Sequence, residues 1–213
     1  MQHTPVSTLS ASEPRAIERA LEVLRGGGLV AIPTDTVYGL AALATDDAAI
    51  DKLFAAKQRP VDQSTPLLIA SPHDLALVAA DVPAVARRLI GQFWPGGLTI
   101  VLPKAPSFRS KAVASDSVGV RVPDHDIPRK LVQLLGEPIT GTSANVSGGP
   151  EPLTAEDVRV QLGDSVALII DGGRCEGGRP STVVDCTSEP PRIVREGAIG
   201  REELVRAAGV RID

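Results

Sequence analysis

Four stretches of this 213-residue chain gather side chains that could do chemistry. The first is Pro33-Thr34-Asp35-Thr36-Val37-Tyr38-Gly39-Leu40, where two hydroxyls, a carboxylate and the chain's one tyrosine crowd together. The same residues could simply make a turn, since Asp and Thr bond their own backbone and Gly39 relieves crowding. The second is Lys57-Gln58-Arg59-Pro60, at the end of a helical pattern. Cations there complement the helix dipole. Lys and Arg two apart also suit a phosphate clamp, the guanidinium acting as a planar fork. The third is Thr140-Gly141-Thr142-Ser143-Ala144-Asn145-Val146-Ser147-Gly148-Gly149, a run of small donors after a strand pattern. Its backbone N–H groups could cradle phosphate or carboxylate, although a plain surface loop has the same composition. No Gly-Lys-Ser/Thr closes it as a Walker A sequence, and it is not a dinucleotide fingerprint. The fourth is spread over Arg121-Val122-Pro123, Ser181-Thr182-Val183-Val184-Asp185 and Arg195-Glu196-Gly197, each at a strand boundary. Taken singly, each arginine reads as a solvated strand cap.

If these groups do chemistry, their types suit anion binding rather than proton shuttling. His3 lies in the N-terminal tail, His73 at a helix start and His125 in a Pro/Asp loop, so no Ser–His–Asp arrangement or acid/base carboxylate pair can be argued. Cys175 and Cys186 form no CxxC pair and no Cys/His cluster. No zinc site is expected, and in a reducing compartment both thiols are expected to be free. The chemistry must then rest on positioning and cationic stabilisation.

The elements that position these residues alternate between helix and strand. Ser12 and Pro14 open a helical pattern with Ile17, Leu21 and Leu24 on one stripe, closed by Gly26-Gly27-Gly28. Leu29–Ile32 reads as a short buried strand. A second helix starts at Asp46 or Asp47, and further helices are expected over 83–93, 127–135, 154–162 and 201–208. Ser71-Pro72-His73-Asp74 reads as a capped helix start. Strands are expected over 67–70, 98–102, 118–122, 138–142, 166–170, 182–184 and 192–194. Interleaving of this kind means a layered α/β domain, and the helix-poor final third means a mixed sheet. Residues 1–12 are expected to be a disordered tail, 13–208 one domain and 209–213 a C-terminal tail.

Composition narrows the class. Hydrophobic residues make up 43% and aromatics only 2%, so aliphatic side chains must build the core. No apolar run is long enough to span a bilayer and no signal-peptide pattern opens the chain, so a cytoplasmic protein with no membrane partner is expected. A net charge of −4 argues against a wholly basic nucleic-acid binder and leaves only a local basic patch around Lys104, Arg109, Lys111 and Arg121.

In this order, PTDTVYGL (33–40), KQRP (57–60), WPGGLT (94–99), VGVRVPDH (118–125), TSANVSG (142–148), STVVD (181–185) and IVREGAI (193–199) resemble the YrdC-like family of threonylcarbamoyl-AMP synthases. The resemblance spans residues 13 to 208 and looks like the short, single-domain form. It implies a twisted mixed sheet with flanking helices around a large concave cavity. It implies ATP, L-threonine and bicarbonate as substrates, Mg²⁺ accompanying ATP, and a product used to modify adenosine beside the tRNA anticodon. Further partners would be tRNA or double-stranded RNA and the proteins that transfer the threonylcarbamoyl group. Carried over by position, Lys57 and Arg59 are catalytic through the phosphates. Arg59, Thr65, Ser117, Ser143, Ser181 and Arg195 meet ATP, and Thr36, Arg121 and Asn145 meet threonine. No metal ligand is assigned to the protein. The other readings are a non-catalytic RNA-binding module and a carbamoyl-AMP-handling carbamoyltransferase domain. The chain departs from many relatives after Arg59, where Val61 to Leu67 replaces a compact Asn-Pro-Leu turn. Thr65 is expected to take the Asn role there. Ala70 stands where a histidine is expected near threonine, which would leave a loose amino-acid pocket.

Overall fold

The structure is a computed structural model that describes residues 6–60 and 63–213. Eleven strands form two sheets among these residues. The five-stranded sheet contains β1 (Ser7–Ser10), β2 (Val30–Ile32), β3 (Gly39–Ala41), β8 (Thr142–Ser143) and β9 (Leu168–Asp171), in the order β1-β9-β2-β3-β8. The six-stranded sheet contains β4 (Leu67–Leu68), β5 (Leu98–Pro103), β6 (Ser117–Arg121), β7 (Ile139–Thr140), β10 (Thr182–Asp185) and β11 (Arg192–Arg195), in the order β11-β10-β5-β6-β4-β7. Both are mixed, as expected: β2 pairs parallel with β9 and antiparallel with β3, and β5 pairs parallel with β10 and antiparallel with β6.

Six helices cover the sheets: α1 (Ala16–Arg25), α2 (Asp47–Lys57), α3 (Ala84–Phe93), α4 (Asp126–Leu135), α5 (Ala155–Leu162) and α6 (Arg201–Ala208). Some of them start on a side-chain cap that the sequence supplies. Asp46 accepts from the N–H groups of Ala48 and Ala49 and so caps α2. Thr154 and Asp157 form a reciprocal capping box at α5. Ser71 and Asp74 do the same for Pro72–Leu77, which winds as a short 3₁₀ helix. Two apolar clusters follow from the period-2 pleat of the five-stranded sheet. Val30, Ile32, Leu168 and Ile170 pack with Ala20, Leu24 and Leu131 of α1 and α4, whereas Ala31 and Ile169 point into the larger cluster on the other face.

The chain changes sheet between β3 and β4, between β7 and β8 and between β9 and β10, and at the second of these Gly141 packs closely against Leu68. The Gly141 N–H donates to Pro66 O at 2.7 Å, and a Cβ there would stand 2.6 Å from Leu68 Cδ2. Just before it, the buried Thr140 hydroxyl accepts from Ala42 N–H at 2.9 Å and donates to Leu40 O at 2.9 Å. That hydroxyl joins the end of β3 to β7, one sheet to the other.

Three expectations need correction. Residues 7–10 of the supposed tail form β1, paired in parallel with β9 from Ser7–Leu168 to Ser10–Asp171, while residues 1–5 lie outside the described residues. The strand is held by backbone bonds, so its polar side chains gave no apolar signal. At the other end Ile212 is buried, Asp213 N–H donates to Pro191 O and Ile193 N–H donates to Asp213 O, so 209–213 is bound to β11. The α1 helix begins at Arg15 with no side-chain cap, because Ser12 bonds Ser10 instead.

Thr140→Val keeps the shape of the side chain and removes both bonds across the sheet junction. It should lower the unfolding free energy by about 1–3 kcal/mol, since Ala42 N–H is left buried without its acceptor. Urea unfolding of the two proteins measures this directly.

Candidate active site

The six-stranded sheet presents one face to the core and the other to a cavity, and the alternation of the sequence decides which. On β6, Val118 and Val120 are buried in the core while Ser117, Gly119 and Arg121 line the cavity. On β5, Leu98, Ile100 and Leu102 face inward, leaving Thr99 and Val101 to the cavity. On β10, Val183 and Asp185 line it and Val184 does not. The register against β11 shifts between Val183 and Val184, which pairs them with Arg195 and Ile193 and skips Val194. This bulge allows the consecutive residues Val194 and Arg195 both to line the cavity. The opposite wall comes from Thr34 and Thr36 after β2, Thr142 and Ser143 on β8, and Arg59 and Thr65 around the end of α2. The enclosed volume is about 430 Å³, within the range of small-molecule sites.

Three arginines dominate the electrostatics. Arg121 is only 6% exposed. It donates from Nε to Gly96 O at 2.9 Å, from Nη1 to Thr36 Oγ1 at 2.9 Å and from Nη2 to Asp35 Oδ1 at 2.6 Å. Of its five N–H groups these use three, leaving one on each terminal nitrogen. Thr34 gives its own proton to Val37 O, so the Thr36 hydroxyl donates to Thr34 and accepts from Arg121. Arg195 donates from Nε and Nη2 to Ser181 O and from Nη2 to Ser181 Oγ at 3.0 Å, and Ser181 in turn pairs with Thr99 at 2.8 Å. Arg59 donates to Ser64 O at 2.8 Å. Its Nε and the Thr65 hydroxyl are buried without a hydrogen-bond partner among the described residues. Burial pushes the pKa of all three guanidinium groups down. At Arg195, Glu151 opposes that effect while repulsion from Arg121 and Arg59 adds to it. The cavity wall therefore carries mutually repelling charges, an arrangement suited to an anion.

Of the site residues expected from the sequence, Arg59, Thr65, Ser117, Ser143, Ser181, Arg195, Thr36 and Arg121 all line this one cavity. Lys57 and Asn145 do not. The reason lies in the end of α2. Gln58 takes the left-handed conformation (φ 50°) and reverses the chain, so Lys57 stays on the buried helical face while Arg59 turns to the cavity. The Lys57 ammonium is 2% exposed and donates to Ser143 O, to Asn145 O at 2.7 Å and to Asn145 Oδ1 at 3.2 Å. Its own carbonyl accepts from Ser147 N–H. Asn145 also accepts from Ser143 Oγ and donates to Gly149 O and Pro150 O. Both residues brace the 143–149 loop from behind. The expected Lys57–Arg59 phosphate clamp is thus half a clamp: Arg59 faces the cavity and Lys57 holds its wall.

Ala70 is likewise remote. It is buried in the α1–α4 cluster, and its carbonyl accepts from Arg129. It faces a separate cleft beside Asp74 and Pro138, so its small side chain does not loosen the main cavity. Val61 and Asp62 of the departing loop lie outside the described residues; Thr65, beyond them, is fixed by its N–H to Ala112 O. Sequence reasoning missed Ser64, Thr99, Ser115 and Arg192 in the cavity lining. Thr99 was discoverable from the strand alternation of Leu98–Leu102. The others sit in loops or beside the β11 bulge, where no periodicity applies. Cys175 and Cys186 are free and buried, and burial raises both thiol pKa values, Cys186 to about 12. No helix among the described residues is long and apolar enough to cross a membrane.

A family model for Sua5, YciO and YrdC proteins, described as "Telomere recombination", matches residues 22–197. The chain belongs to the Sua5/YciO/YrdC family. The threonylcarbamoyl-AMP synthase of Pyrococcus abyssi is 42% identical over 194 residues, which are 91% of this chain and 57% of that protein. The threonylcarbamoyl-AMP synthase of Bacillus subtilis is 38% identical over 203 residues, 94% of this chain and 58% of that protein. The chain thus spans under two thirds of the length of these two relatives. The crystal structure of P. abyssi Sua5 complexed with L-threonine superposes with a TM-score of 0.91 at 40% identity, covering 99% of this chain and 63% of that one. The cavity of this family member is thus built on the Sua5 fold.

The Lys57 brace has a signature in pH. Burial first, and Arg59 second, push its pKa from the ordinary 10.5 down to about 8, with Glu151 opposing. Between those two values the unfolded chain binds the extra proton, so this residue's contribution to stability should rise as pH climbs from 8 to 10.5. The Lys57 Cε resonance should titrate near pH 8, and Lys57→Met should remove that rise in stability.

Proposed function

We propose that this chain is a threonylcarbamoyl-AMP synthase, taking L-threonine, bicarbonate and ATP to threonylcarbamoyl-AMP and pyrophosphate. The observation that carries this reading is the convergence of Arg59, Arg121 and Arg195 on one cavity. The reaction brings together a carboxylate, a carbamate and a triphosphate, all anionic. Cations and fixed donors can stabilise the charge that builds as phosphoryl transfer proceeds. The relatives named threonylcarbamoyl-AMP synthase and the Sua5 complex with L-threonine support it.

In the proposed sequence, the neutral amine of threonine condenses with bicarbonate, forming the carbamate and releasing water. A carbamate oxygen then attacks the α-phosphorus, and the bond to the bridging β-phosphate oxygen breaks to release pyrophosphate. Arg121 takes the threonine carboxylate on its two uncommitted N–H groups. Thr36, with one acceptor site still open, takes an N–H of the amine. Arg59 and Arg195 meet the phosphates, assisted by the hydroxyls of Thr65, Ser117, Ser143 and Ser181. Lys57 and Asn145 act on the nucleotide through the Ser143 loop. Mg²⁺ enters with ATP. Asp185 is the one carboxylate among the described lining residues and already faces Arg192 at 3.5 Å, so phosphates and water supply most of the metal's ligands. The reactive mixed anhydride is consumed by transfer to tRNA adenosine through downstream transfer proteins. Since the chain carries a net charge of −4, any contact with tRNA is confined to a local basic face.

Pyrophosphate release tests this reading. It should require threonine, bicarbonate and Mg²⁺-ATP together. Folded Arg59→Ala should lose about 100-fold or more in kcat/KM, the scale for removing one preorganised donor to developing charge. Release that ignores threonine or bicarbonate, or an Arg59→Ala enzyme with wild-type rates, would contradict it.

A further inference from the structure

Two glycines outside the cavity lining abut the segments that hold its arginines. A Cβ on Gly177 would fall 2.3 Å from Asp35 O and 2.8 Å from Thr36 Cα. A Cβ on Gly197 would fall 2.3 Å from Pro180 O and 2.6 Å from both Ser181 C and Ser181 O. The obstructing atoms are backbone, so no rotamer change relieves the contact. Neither glycine has φ in the left-handed region; the demand at each is for space. Adjacent bonds fix both approaches: Gly178 N–H donates to Thr36 O at 3.1 Å, and Ala198 N–H donates to Pro180 O at 2.9 Å.

What lies beneath each glycine differs. Asp35 and Thr36 supply two of the three acceptors that orient Arg121. Ser181 supplies every acceptor that orients Arg195, through its carbonyl and its hydroxyl. Arg121 and Arg195 stand on different strands, β6 and β11, and share no acceptor; the two supports approach each other at Gly97, where an added Cβ would stand 2.8 Å from Ala198 Cβ and 3.4 Å from Thr36 Cγ2.

We propose that Gly177 and Gly197 are positioning residues that set the two ends of the cavity independently, Gly177 the amino-acid end through Asp35–Thr36 and Arg121, Gly197 the nucleotide end through Ser181 and Arg195. This rests on the synthase reading for which substrate meets which arginine. A side chain at Gly177 forces the Asp35–Thr36 turn away from its seat and carries Arg121 out of line, while the Arg195 end keeps its geometry. A side chain at Gly197 does the converse. Displacements of this kind, of the order of an ångström, are enough to cost up to about 100-fold.

The test is a pair of alanine substitutions read as separate Michaelis constants. Gly177→Ala should raise KM for threonine about 10- to 100-fold while KM for ATP stays within about 2-fold; Gly197→Ala should do the reverse. Gly91→Ala, in α3 with nothing within 4 Å of the added carbon, should change neither. Equal shifts in both constants for both variants, or unchanged constants with only kcat reduced, would overturn the proposal. Should either variant fail to fold, amide exchange on the wild-type protein decides. Threonine should slow exchange at Gly178 and not at Ala198, and ATP should slow Ala198 and not Gly178. Protection of both amides by either ligand, or of neither, would overturn it. Absence of wild-type turnover would sink the synthase reading alone, because the exchange pattern needs no catalysis.

Discussion

The structure hinges on one buried charge. A guanidinium 6% exposed cannot stay unpaired without a heavy desolvation cost, so the fold must bring acceptors to Arg121. They arrive from two segments far apart in sequence: the Gly96 carbonyl before β5, and Thr36 and Asp35 between β2 and β3. Asp35 Oδ1 also accepts from Asp124 N–H, tying in the start of the segment before α4. These bonds clamp the six-stranded sheet against the β2–β3 turn of the other sheet. The gap left between the sheets is the cavity. Arg121 is thus paired enough to be buried and still keeps N–H capacity toward the interior.

Charge is distributed unevenly by design of the backbone. The chain as a whole carries −4, yet its cavity is lined by arginines that raise one another's energy. Lys57 shows how a further cation is kept out of that cluster. One left-handed residue, Gln58, separates a lysine committed to loop carbonyls from an arginine with an orphaned Nε. The lysine's N–H groups hold the 143–149 loop through Ser143 O, Asn145 O and Asn145 Oδ1, and the arginine's charge is left for the cavity.

Much of this was legible in the amino-acid order, and the failures have physical causes. The strand in Val118-Gly119-Val120-Arg121 was readable; the side on which Arg121 emerges was not stated from the sequence, where the arginine read as a solvated cap, although the parity of a half-buried strand decides it. The helices were readable from apolar stripes and capping residues such as Asp46, Thr154 and Asp157. The seven ordered motifs were enough to point to the Sua5/YciO/YrdC family. The division into two sheets was not readable: nothing local to Thr140–Thr142 marks a change of sheet, and the chain also changes sheet between β3 and β4 and between β9 and β10. The β1 strand escaped because Ser7–Ser10 pairs through its backbone. Lys57 and Asn145 were assigned to ligands because proximity in a motif does not reveal which way a chain reversal turns each side chain. Ala70 was placed near threonine for the same reason, whereas its position after β4 turns it into the core under α4.

The central claim is that the proposed nucleotide and amino acid are received together in one cavity, walled on one side by β5, β6, β10 and β11 and on the other by Thr36, Arg59, Thr65 and Ser143. A crystal structure with threonine and a non-hydrolysable ATP analogue tests it most directly. The triphosphate should lie between Arg59 and Arg195, with the Arg59 Nε and Thr65 hydroxyl now bonded, and the threonine carboxylate should sit on the Nη groups of Arg121. A nucleotide bound outside this cavity, or one within it that leaves those two groups unpartnered, would contradict the account.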